Sequence, residues 1–124
     1  MSALILIVED DPVVRRTLEL ALRSGGFDAI PASNGQEGIA LFRLRSPHVV
    51  VTDILMPEQD GIETILQIRR EAPATKIIAI SGGGSVGHSD FLEIATKLGA
   101  NVVLAKPVAP AALIEAVRKC VDEM

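Results

Sequence analysis

Five short apolar runs recur along the chain, at Leu4–Val8, Phe27–Pro31, Val49–Thr52, Ile77–Ile80 and Val102–Ala105. Several are apolar without interruption rather than alternating with polar residues. That pattern predicts strands buried on both faces of a sheet. Longer segments with apolar residues at helical spacing separate them. Asp11 followed by Pro12 predicts a helix start, Val14, Leu18, Ala21 and Leu22 share one face, and Gly25-Gly26 ends the helix. Further helices are predicted over Gly35–Arg45, Gly61–Glu71, Phe91–Leu98 and Pro110–Val121, with Asp90 and Glu93 as a capping box for the fourth and Asp60 as a cap for the third.

Strands that alternate with helices pair in parallel through right-handed crossovers. This gathers the carboxyl ends of all strands at one edge, where ligands bind in open sheets of this kind. The residues found there are Glu9-Asp10 after the first strand, Asp53 after the third, Ser81 after the fourth and Lys106 after the fifth. The expected class is α/β, a doubly wound parallel sheet of five strands with five helices in one domain over residues 1–124.

Composition narrows the function. The 124 residues carry a formal net charge of -4 with 48% hydrophobic and 23% charged residues. A packed core is therefore within reach, and the lack of a polybasic run argues against nucleic acid or an anionic membrane as partner. No stretch approaches the roughly 20 apolar residues of a membrane helix. One cysteine, Cys120, precludes an internal disulfide and fits a reducing, cytoplasmic setting. It is read as a packing residue, and His48 and His88 as exposed.

Carboxylates crowded within a few ångströms repel unless a cation intervenes. Mg²⁺, a hard ion bound through one or two carboxylates and water, suits such a set. Asp53 is then a candidate nucleophile for an aspartyl phosphate, with Lys106 and the Ser81 hydroxyl placed to meet phosphoryl oxygens. Asp11 is better read as a helix cap. The Gly-rich stretch "SGGGSVG" lacks a following Gly-Lys-Ser/Thr, and "AISGG" is too weak a match to a hydrolase elbow in so short a chain.

The stretches "ILIVEDD", "VVVTDILMPEQDG", "IIAISGG" and "LAKP" occur in order over the whole chain, which resembles a stand-alone response regulator receiver domain of the CheY-like family. The resemblance implies a flavodoxin-like fold of strand order 2-1-3-4-5. It implies Mg²⁺ held by Glu9, Asp10, Asp53 and the backbone carbonyl of Leu55, with Glu9 reaching the metal through water. Asp53 is then the phosphoacceptor, Ser81 the switch hydroxyl and Lys106 the phosphate-contacting lysine before a cis Pro107. A histidine kinase or histidine phosphotransfer protein would donate the phosphoryl group. The chain itself would be a signalling domain that assists its own phosphorylation and dephosphorylation rather than a turnover enzyme.

Output would run through the face of the fourth helix, fifth strand and fifth helix to an unknown target protein, as a monomer or a phosphorylation-dependent dimer. The alternatives are a relay carrier that passes the phosphate to another histidine, and an unphosphorylated dimerisation module. Three departures from the family are visible. Val103 and Val108 stand where aromatic residues are frequent, so ordering of residues 82–98 is expected to replace an aromatic toggle. Leu55 and Gly83 cannot orient a water by side-chain hydrogen bonding, so a long-lived aspartyl phosphate is expected. The Ser81-to-Lys106 interval is slightly long.

Overall fold

The computed structural model describes residues 2–54, 61–81 and 88–124, with side chains described from residue 93 in the last of these. Five strands and five helices alternate: β1 Leu4–Val8, α1 Pro12–Ser24, β2 Asp28–Ala32, α2 Gly35–Arg45, β3 Val49–Asp53, α3 Gly61–Glu71, β4 Lys76–Ser81, α4 His88–Leu98, β5 Val102–Ala105 and α5 Pro110–Asp122. All pairings are parallel, as the alternation of strands and helices predicts, and the order is β2-β1-β3-β4-β5, as the resemblance implies. The order reverses at β1, which lies between β2 and β3, so the switch point opens where Glu9 and Asp53 end their strands.

The uninterrupted apolar runs are explained by the two cores. Ile5, Ile7, Val49, Val51, Ile78 and Ile80 face Leu18, Leu22, Leu113, Val117 and Cys120 of α1 and α5. Leu6, Val8, Val50, Ile77 and Ala79 face Ile39, Phe42, Ile65, Ile68 and Ala95 of α2, α3 and α4. The three inner strands β1, β3 and β4 therefore bury both parities, and a period of two would be lost on them. Cys120 is 1% exposed, a packing residue as expected.

Local chemistry sets the helix ends. Asp11 caps α1, its side chain accepting from the backbone N–H groups of Val13 at 2.9 Å and Val14 at 3.2 Å. Asn34 does the same for α2 through Glu37 N at 2.8 Å. Helix α4 differs from expectation. It begins at His88, so Asp90 lies inside its first turn rather than at the cap. An acid there favours a helix through the dipole as well as through capping, and sequence alone does not separate the two. Strand β2 runs one residue later than predicted, through Pro31 to Ala32. Proline is tolerated there because β2 is an edge strand.

At the amino-terminal edge of the sheet, Arg69 of α3 acts as a staple. Its guanidinium donates to the carbonyl of Gly99 at 2.7 and 2.9 Å, to Asn101 Oδ1 at 2.7 Å, to Pro73 O at 3.2 Å and to Thr75 O. Asn101 Oδ1 also accepts from Ile77 N at 2.8 Å. His48 works nearby: exposed, as expected, it nonetheless accepts the Leu4 N–H on Nδ1 at 2.9 Å.

Candidate functional site

Strand parity places the acidic residues. Glu9 continues the alternation of Ile5 and Ile7, and Asp53 that of Val49 and Val51, so both extend from the layer facing α1 and α5. Glu9 N donates to Ala32 O at 3.1 Å, holding the end of β1 against β2. Gly38 lets α2 press on Val8 just before the acids, since a Cβ there would lie 2.7 Å from Val8 Cγ2. Asp53 ends β3 beside Ile80 of β4. Helix α3 returns so closely that a Cβ on Gly61 would lie 1.8 Å from the Asp53 carbonyl oxygen, which reserves that position for glycine. Ser81 ends β4 opposite Ala105, fully buried, and its carbonyl accepts from Lys106 N at 2.8 Å. That bond fixes where the chain leaves β5 and aims Lys106 across the edge. The Lys106–Pro107 peptide is cis.

The side chains then meet. Lys106 Nζ donates to Asp53 Oδ2 at 2.7 Å and lies 2.6 Å from Glu9 Oε1 in an ion pair. Glu9 is 1% and Asp53 5% exposed, whereas Asp10 is exposed at the mouth. One oxygen from each of Glu9, Asp10 and Asp53 falls in a group whose members all lie within 4.8 Å of one another. Glu9 Oε2 accepts from Asp11 N at 3.1 Å, but buried Oε1 accepts no well-angled hydrogen bond; its contact with Lys106 is one of charge and proximity. A buried carboxylate oxygen without a proper donor, beside two further carboxylates, is the set a hard divalent cation would satisfy. The residues present fit Mg²⁺.

Electrostatics agree. Burial pushes the Glu9 carboxyl up to about 7, against the lowering effect of Lys106 and the Asp11 N–H and with help from the Asp53 charge. Burial also opposes the charge on Lys106, yet its hydrogen bond to Asp53 and its contact with Glu9 leave it above its ordinary value. One cation is thus shared by two buried carboxylates.

The structure brings Glu9, Asp10, Asp53 and Lys106 into contact range and sets Ser81 on the adjoining strand end. Leu55, Asp60 and residues 82–87, Gly83 among them, fall outside what is described, as do the side chains of residues 88–92, His88 included. A groove of about 440 Å³ opens next to the site, lined by Val13, Val14, Thr17, Leu18, Lys106, Pro107 and Val108. A larger hollow of about 730 Å³ lies on α5 and contains none of the site residues. Sequence reasoning missed Arg15, whose Nη1 donates to the carbonyls of Glu9 at 2.9 Å and Asp10 at 3.4 Å.

A sheet of this order with an acid pair, a buried aspartate and a lysine at its carboxyl edge defines a class of signalling domain. The chain belongs to the response regulator receiver domain family, whose model matches residues 5–118. It is similar to the chemotaxis protein CheY of Thermotoga maritima, with 33% identity over 96% of this chain and 98% of that protein. It is 35% identical to the "Probable transcriptional regulator ycf27" of Porphyra purpurea over 92% of this chain and 45% of that protein. The chain thus spans about half the length of several curated relatives that it matches. Among solved structures, a response regulator receiver domain protein from Clostridium thermocellum superimposes with a TM-score of 0.90 at 28% identity, over 98% of this chain and 95% of that one. A CheY-like receiver protein from Methanospirillum hungatei does so at 0.89 and 27%, over 99% and 96%. Two-component signalling is the setting of this family. Among the described residues, no helix is long and apolar enough to cross a membrane.

Proposed function

We propose that this receiver accepts a phosphoryl group on Asp53 from a phosphohistidine of a kinase or phosphotransfer protein, with Mg²⁺ held by Glu9, Asp10, Asp53 and the Leu55 carbonyl. The observation that carries the reading is Lys106, whose ammonium lies 2.6 Å from Glu9 and 2.7 Å from Asp53 at the switch point of the sheet. In the transfer, an Asp53 carboxylate oxygen forms a bond to phosphorus as the phosphorus–nitrogen bond of the donor breaks. The electron pair stays on the imidazole nitrogen. When bound, Mg²⁺ neutralises charge on the carboxylates and on the phosphoryl oxygens.

The chain's own groups supply the rest. Lys106 holds Asp53 in place before transfer and faces the anionic product afterwards. Ser81, at the end of β4, is placed to offer its hydroxyl to a phosphoryl oxygen. The apolar groove of Val13, Val14, Leu18, Pro107 and Val108 beside Lys106 gives the donor a surface to dock on without touching the acids. Phosphorylation then biases the α4–β5–α5 face between two populations that a target protein distinguishes.

Incubation with acetyl phosphate and MgCl₂, followed by intact mass measurement, tests this. The parent is expected to gain one phosphoryl group only when magnesium is present, and Asp53→Asn none. Equal gain by the two proteins, or gain indifferent to magnesium, would reject the assignment.

A further inference from the structure

We propose that Arg15 of α1 is a positioning residue for the acid pair, an inference that rests on the Mg²⁺ reading above. Arg15 lies one turn after the Asp11 cap, with its own N–H bonded to Asp11 O at 2.9 Å. Its half-buried side chain folds back over the helix start. There Nη1 donates to Glu9 O at 2.9 Å and makes a longer approach to Asp10 O at 3.4 Å. These are the carbonyls of two consecutive residues whose side chains are both in the carboxylate cluster.

Holding both carbonyls fixes the peptide planes on either side of Asp10, and so fixes the direction of its Cα–Cβ bond. Asp10 needs this most. It is exposed and lies beyond the last β1 residue, Val8, so no ladder restrains it. Glu9, in contrast, is already tied through Ala32 O, Asp11 N and Lys106. Arg15 enters none of the ion pairs of the described residues. Its whole charge therefore acts on this turn, drawing carbonyl density away from the cluster and offsetting repulsion among three acids. Arginine suits the task because the one Nη1 group carries two N–H donors, one for each carbonyl, on a head that stays charged.

The test uses the full chain as Arg15→Met, which keeps the apolar stem but no donor, and Arg15→Lys, which keeps the charge and a single donor head. Magnesium affinity is measured by calorimetric titration with MgCl₂, and amide spectra of the metal-free proteins are compared. Arg15→Met is expected to bind Mg²⁺ about tenfold or more weakly. Arg15→Lys should recover part of the loss, and the metal-free amide shifts of residues 9–11 should move in Arg15→Met while the two cores are unchanged. High salt should not erase the difference, since positioning, unlike long-range attraction, is not screened. Parent-like affinity together with unmoved shifts in Arg15→Met would overturn the proposal while leaving the Mg²⁺ reading intact. A parent that ignores MgCl₂ would overturn the Mg²⁺ reading, and this inference with it.

Discussion

The two ends of the sheet each carry a partly buried cation, and they use it in opposite ways. At the amino-terminal edge, Arg69 faces neutral acceptors: the carbonyls of Gly99, Pro73 and Thr75 and the amide oxygen of Asn101. Burial holds its guanidinium below the ordinary arginine value, and no carboxylate among the described residues pulls it back. At the carboxyl edge, Lys106 faces Glu9 and Asp53 and is held above its ordinary value. Arg69 is a many-bonded staple whose removal orphans several carbonyls. Lys106 is one charge spread between two acids, and on the proposed function a divalent ion or a phosphoryl group draws it away. The same fold thus fixes one edge and leaves the other open to exchange.

The sharpest way to break this comparison is at Lys106. Lys106→Met removes the cation that competes for the carboxylates, so Mg²⁺ should bind more tightly in calorimetric titration. Phosphoryl uptake should nevertheless slow by about 100-fold, the usual cost of losing one donor to a developing anion. Tighter binding with unimpaired uptake would remove Lys106 from the transfer. At the other edge, Arg69→Met should lower stability by about 2–4 kcal/mol in urea denaturation, because carbonyls lose a charged donor. Its Mg²⁺ affinity should stay close to that of the parent.

The pH dependence separates the edges further. In the metal-free protein the Glu9 carboxyl titrates at about 7 against 4.5 when unperturbed. Between those values the folded state holds a proton that the unfolded state has released. Glu9 therefore contributes stability below about 4.5 that is lost as pH rises through about 7. Thermal midpoints of the metal-free parent should fall relative to Glu9→Gln across that window. Saturating MgCl₂ should restore the parent at high pH. The smallest effect is expected at Asp11→Ala, about 1 kcal/mol from the lost cap, with little change in Mg²⁺ affinity. A large loss of affinity there would make Asp11 a ligand rather than a cap.

Much of this was legible in the residues because the relevant signals are local. The runs at Leu4–Val8 and Val49–Thr52 announce strands buried on both faces. The acids and lysine stand at strand ends or directly after them, and parallel topology brings strand ends together without further information. What was not legible depends on distance across the fold. Arg69 bonds to the carbonyl of Gly99, 30 residues away in sequence, which leaves no trace in side-chain type. His48 accepts a backbone N–H from β1, a pairing set by register. That Lys106 bridges Glu9 as well as Asp53 follows from the shared strand parity and from the burial of Glu9, neither of which a list of motifs contains. The start of α4 was misplaced because Asp90 is as comfortable in a first turn as at a cap.

The most direct test of an exchangeable edge opposite a fixed one is an amide-resolved magnetic resonance titration with MgCl₂. Shifts are expected at Glu9, Asp10, Asp11, Asp53, Ser81 and Lys106, with Arg69, Gly99 and Asn101 unmoved. Shifts spread evenly over both edges, or none at the carboxyl edge, would contradict the account.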